Sequence, residues 1–132
     1  MNCQEVINII EKRCKLCGVK IERIRDKRKI VDEDEEFIAG YCNNEITLCL
    51  KGRAKIWETV FLVHEFCHYL WENFYIYKYN KPVKGKEYNN NTFFIEIQVE
   101  VLTLKLLREL KANKRIIDFC KKSIISNLKE YL

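Results

Sequence analysis

A chain of 132 residues has room for one hydrophobic core but not for a separate regulatory module, which predicts a single domain over residues 1–132. Hydrophobic residues make up 48% of it and Pro occurs once, which excludes a disordered or low-complexity chain and favours a compact, helix-rich one. The net charge of +5 is modest, and the basic stretches at 23–29, 78–86 and 105–122 show no recognised nucleic-acid motif, so they are read as solvated faces and direct nucleic-acid binding is not expected. The first residues lack a basic-then-apolar signal, and no apolar run reaches the length of a membrane span. With seven scattered cysteines, an odd number, the chain is expected to be cytoplasmic with reduced thiols and no membrane partner.

Residues 5–16 space Val6, Ile9, Ile10 and Leu16 as an amphipathic helix, which Gly18 ends. Cys14 and Cys17 form a CxxC at that end. Cys42 and Cys49 lack the spacing to complete a four-sulfur zinc site with them, so these cysteines are read as small core or surface residues. From 19 to 50 the period shortens. Val19, Ile21 and Ile24, then Ile30 and Val31, then 37–42 and 46–50 suggest a sheet of about three strands. Turns are expected near Asp26-Lys27, at the acidic tract 32–36 and at Asn43-Asn44, and the Asn pair predicts an antiparallel hairpin.

Lys51-Gly52-Arg53 breaks the sheet, and a helix is predicted over 54–74. Its apolar positions (Ile56, Val60, Phe61, Val63, Cys67, Leu70, Trp71, Phe74) cover more than one face, as in a largely buried helix. Residues 75–92, with Pro82, Gly85 and Asn89-Asn90-Asn91, read as a loop or partly ordered lid. A helix over 93–110 carries Phe94, Ile97, Val101, Leu104 and Leu107 at core spacing, and a last amphipathic helix covers 116–132. The fold class expected is α+β, a small antiparallel or mixed three-stranded sheet packed on a helical bundle.

The buried helix holds His64-Glu65-Phe66-Cys67-His68, an HExxH pattern that uses both histidines of the chain. Residues four apart share a helix face, so His64 and His68 can offer two imidazoles to one Zn2+, with Glu65 placed to hold and deprotonate a water. The bland alternative is a buried helix whose histidines are satisfied by core hydrogen bonds, but such a polar burden is one that a metal would relieve.

A catalytic zinc needs a third protein ligand, and without a third histidine a cysteine or carboxylate must supply it. Glu96 and Glu100 sit one turn apart in an otherwise apolar segment. Glu96 is assigned to the metal and Glu100 to a hydrogen bond that orients a ligand imidazole, with the reverse left open. A donor for a tetrahedral oxyanion would come from a tyrosine, among Tyr69, Tyr75, Tyr79 and Tyr88. An extended protein substrate is expected to add to the sheet edge along Ile46, Thr47 and Leu48, within the strand 46–50.

Val63-His64-Glu65-Phe66-Cys67-His68-Tyr69-Leu70, preceded by Ile46-Thr47-Leu48-Cys49-Leu50 and followed by Glu96 through Leu106-Leu107, resembles the ImmA/IrrE family of metallopeptidases. Members of that family run from a short helix through a small sheet and the HExxH helix to a helix with a Glu ligand ahead of an aliphatic pair. Leu106-Leu107 lies ten and eleven residues after Glu96, so the resemblance favours Glu96 over Glu100 as the ligand. The chain departs from the family at Val99 and Glu100, where a small residue and Asn or Asp are usual, and at Arg108-Glu109, where Met-Pro is common. The resemblance implies a zinc endopeptidase that cuts a regulatory protein, such as a helix-turn-helix transcriptional repressor of a mobile element or phage. Two other classes are weighed beside it. One is a catalytically idle metal-binding regulator of a protein partner. The other is a SprT-like nucleic-acid-associated protease, supported only by the Lys-rich segments.

Overall fold

The computed structural model describes residues 1–25, 39–75 and 86–130, without the side chains of 75 and 86–91. The turn expected at Asp26-Lys27, the run at Ile30-Val31 and the acidic tract 32–36 lie outside the described residues. Among those described, the architecture is α+β, with four α-helices and a mixed three-stranded sheet. In chain order these are α1 (Cys3–Cys17), β1 (Lys20–Ile24), β2 (Ala39–Cys42), β3 (Glu45–Cys49), α2 (Lys55–Leu70), α3 (Lys86–Glu109) and α4 (Lys114–Lys129).

Local chemistry sets several of the boundaries. Asn2 caps α1 by accepting from the Glu5 amide at 2.9 Å, while the Glu5 carboxylate accepts from the Asn2 amide at 3.1 Å. Gly18 ends the helix at φ 74°, a left-handed conformation that costs a residue without Cβ little. Asn43 and Asn44, at φ 49° and 61°, make the tight turn of the expected β2–β3 hairpin. Asn113 caps α4 through the Ile116 amide at 3.0 Å.

The sheet order is β1-β3-β2, with β1 parallel and β2 antiparallel to β3. This corrects the expected docking strand. Ile46, Thr47 and Leu48 belong to the central strand, whose main-chain groups are occupied on both sides, and Ile46 and Leu48 are fully buried. No strand can add there, because an incoming strand needs an unpaired row of N–H and C=O groups.

α2 is the axis of the molecule and packs against α1, α3, α4, β2 and β3. Its apolar side chains join those of the sheet and the other helices in one core cluster. At its C-terminal end the chain continues through a π-helical turn, Trp71–Tyr75, so the helical path runs to within a residue of the expected end.

Two expectations about α3 are corrected. The helix begins at Lys86, so the loop expected over 75–92 is shorter, and residues 76–85 lie outside the described residues. Asn89, Asn90 and Asn91 fall within the helix, where the propensity cost of Asn is small enough for tertiary context to override. The inward face also differs. Val99, Glu100, Thr103, Leu106 and Leu107 are buried, whereas Val101, placed at core spacing by its periodicity, is 59% exposed. Ile97, Val101 and Leu104 instead line an open groove with Ile124 and Leu128 of α4. α3 therefore turns Glu96 and Glu100 toward α2 among the buried Val99, Leu106 and Leu107, with Leu104 packed on the core and Val101 left outside.

Candidate metal centre

Among the described residues the buried polar side chains are Thr59, His64, Glu65, Glu100 and Thr103. The two threonines return their hydroxyl hydrogens to their own helices, Thr59 to the Lys55 carbonyl at 2.8 Å and Thr103 to the Val99 carbonyl at 2.7 Å. The other three lie in one place, at the α2–α3 contact.

α2 brings His64 and His68 together through one turn of helix, with their Nε2 atoms 3.2 Å apart. α3 completes the cluster. Glu96 Oε1 lies 3.0 Å from His68 Nε2, and Glu96 Oε2 lies 3.7 Å from His64 Nε2. On the opposite side of the His64 ring, Nδ1 donates to Glu100 Oε1. Glu65 Oε1 stands 3.9 Å from His64 Nε2. The structure thus brings together His64, Glu65, His68, Glu96 and Glu100.

Proton accounting orders the contacts of the cluster. A neutral imidazole carries one N–H, and His64 uses its own at Nδ1 toward Glu100, which leaves a bare lone pair at Nε2. That lone pair faces His68 Nε2, whose N–H tautomer donates to Glu96 Oε1, and Glu96 Oε2 stands 3.7 Å from it. The His64 Nε2–His68 Nε2 and His68 Nε2–Glu96 Oε1 separations, 3.2 and 3.0 Å, are near the spacing of about 3.3 Å that ligands at roughly 2.0–2.1 Å adopt in a tetrahedral zinc site. Two overlapping groups of metal-capable atoms occur, His64–Glu65–His68 and His64–Glu96–Glu100, each within 4.8 Å. Glu100 faces Nδ1 while Glu96, Glu65 and His68 face Nε2, so one ion cannot use all of them. His68 Nε2 and the Glu96 carboxylate stand on the Nε2 side of His64, and Glu100 stands on its Nδ1 side.

Burial and charge shift the titrating groups in consistent directions. Burial pushes the Glu65 carboxyl above the ordinary carboxylate range, partly offset by the two histidines and reinforced by Glu96 and Glu100. For His64, burial works against protonation, but the Glu100 hydrogen bond and the charges of Glu65, Glu100 and Glu96 raise its pKa overall. Burial also opposes ionisation of Glu96, yet its hydrogen bond to His68 and the imidazoles lower its pKa overall.

Of the oxyanion candidates, Tyr69 is committed to the core, with ring contacts to Tyr41, Phe66 and Phe74. Tyr79 and the side chains of Tyr75 and Tyr88 lie outside the described residues. One residue at the site went unread in the sequence. Asn127 of α4 donates its amide to Glu96 Oε2 at 3.0 Å. Its signal was a polar residue on the stripe of Ile116, Cys120 and Ile124. The metal-capable groups contain no cysteine among the described residues, and Cys14, Cys49, Cys67 and Cys120 are buried as thiols.

Comparison with protein-family models, curated protein sequences and solved structures returned no match. The likeness to ImmA/IrrE proteins therefore rests on the motifs quoted above, and the chemistry of the site rests on its own geometry.

Proposed function

We propose that the chain is a zinc-dependent endopeptidase acting on a protein substrate in the cytoplasm, in the manner of the ImmA/IrrE proteins it resembles. The observation that carries this reading is the convergence of His64 Nε2, His68 Nε2 and the Glu96 carboxylate, with Glu100 on the far nitrogen of His64. Among the described residues no helix is long and apolar enough to cross a membrane.

His64, His68 and Glu96 would hold the ion. Zn2+ there supplies Lewis acidity, which lowers the pKa of water and polarises a carbonyl. Glu100 accepts from His64 Nδ1, fixing the tautomer that keeps Nε2 free. Glu65 takes a proton from the attacking water as its oxygen bonds to the peptide carbon, then passes that proton to the leaving nitrogen as the C–N bond breaks. Burial raises the pKa of Glu65, which strengthens it as the acceptor of that proton.

The resemblance directs the substrate search to helix-turn-helix repressors. The test is to incubate zinc-loaded wild type and Glu65→Gln with such a repressor and with a mixed peptide library, and to identify new termini by mass spectrometry. Wild type should cut, and Glu65→Gln should be slower by about 10²–10⁴-fold with its metal retained. Cutting by Glu65→Gln at the wild-type rate, or none by loaded wild type on either substrate set, would contradict the reading.

A further inference from the structure

The carboxylate of Glu96 has two oxygens, and each has a different neighbour. Oε1 faces His68 Nε2 at 3.0 Å, and Oε2 accepts from Asn127 Nδ2 at 3.0 Å. The amide must present its NH2 end here, because a carbonyl oxygen turned toward the carboxylate would meet only repulsion.

Asn127 is an unusual residue for its place. The inward stripe of α4 runs through Ile116, Cys120 and Ile124, and the next position on it is Asn127, partly buried against α3. It is not a cap, since α4 starts at the Asn113 cap and closes at Glu130. Together with Ser123 of α4 it also lines a cavity of about 20 Å³ shared with His64, Glu100 and Thr103, room for a single water. α4 is therefore polar on its inward side where it meets the cluster.

We propose that Asn127 is a positioning residue for the metal centre, holding Glu96 Oε2 so that the carboxylate offers Oε1 alone to the ion. This rests on the metal-site reading above. Released from the amide, the carboxylate is free to rotate into two-oxygen ligation or away from the ion. Either change alters affinity and coordination number together, and groups that orient metal ligands are worth about 10–100-fold in affinity.

The test measures zinc affinity by competition with a chelating dye, and the visible absorption of the Co2+-substituted protein, for wild type, Asn127→Ala, Asn127→Leu and Asn127→Gln. The melting temperature of each metal-free form serves as the folding control. Asn127→Ala and Asn127→Leu should bind zinc at least about tenfold more weakly, with a changed Co2+ absorption intensity as coordination number changes. Asn127→Gln, which keeps the donor, should recover affinity and spectrum in part. Wild-type affinity or a wild-type Co2+ spectrum in Asn127→Ala overturns the inference, as does failure of Asn127→Gln to recover either. If wild type itself binds no zinc, the metal-site reading fails instead.

Discussion

Two charged clusters on α2 are built differently. Near its N-terminal end, Glu58 meets Arg23 of β1, whose guanidinium also reaches Glu11 of α1, at 2.9 and 2.8 Å. There a fork with five N–H donors meets two carboxylates, partly in contact with water, and each group finds a partner within the chain. Near the middle of the helix, three carboxylates gather around two imidazoles with 6–22% of their side-chain surfaces exposed, and acceptors outnumber donors. The first cluster is complete as folded. The second sets three carboxylates against two imidazoles; their charge raises the pKa of His64 against the effect of burial, while burial raises that of Glu65.

If the contrast is sound, the two clusters respond to different perturbations. The largest response is to metal. Zinc at about 100 times its dissociation constant should stabilise wild type by about 2.7 kcal/mol, and should do the same for Arg23→Met. Thermal melts with and without zinc check this, and an equal shift in His68→Ala would erase the distinction.

Next in size is the orientation of His64. Glu100→Gln keeps the shape but weakens the hold on Nδ1–H, and should cost about 10–100-fold in zinc affinity, measured by chelator competition. Arg23→Met is smaller and of another kind. It should destabilise the fold by about 1 kcal/mol, after allowing for solvent at this partly exposed pair, with zinc affinity unchanged. Urea unfolding of the metal-free protein gives the first number.

The subtlest response is to pH. Folding raises the pKa of His64 above its ordinary 6.5, so the protonated ring stabilises the metal-free fold below that value, and this contribution is lost as pH rises through the raised one. Zinc binding needs the ring neutral and so strengthens over the same interval. The gap in melting temperature between loaded and metal-free protein should therefore widen as pH increases from about 6.5. A gap that is constant or narrows would separate the ion from His64.

What could be read in advance divides along local and non-local lines. The HExxH spacing, the Gly18 stop and the Asn43-Asn44 turn depend on residues a few positions apart, and the structure has them as expected. Glu96 and Glu100, one turn apart on α3, stand on the Nε2 and Nδ1 sides of the His64 ring. The sheet order could not be read, because the parallel pairing of β1 with β3 joins strands separated by residues whose pattern does not specify which side each takes. Ile46 and Leu48 were apolar enough for either an edge or a centre, and pairing with β1 on one side and β2 on the other makes their strand the centre. The face of α3 misled for a related reason. Leu104 and Leu107 of the expected stripe do pack inward, but Val99 and Leu106 share that face with Glu100 and Thr103, and Val101 is left out. Asn127 was legible as an exception in its stripe but not as a neighbour of Glu96, thirty-one residues away.

The central claim is that His64, His68 and Glu96 hold one ion, and the most direct measurement is elemental analysis of protein saturated with zinc and then dialysed. Wild type should retain stoichiometric zinc, while His68→Ala and Glu96→Ala should lose most of it and Arg23→Met should keep it. Wild type without bound metal, or both His68→Ala and Glu96→Ala holding as much as wild type, would contradict the account.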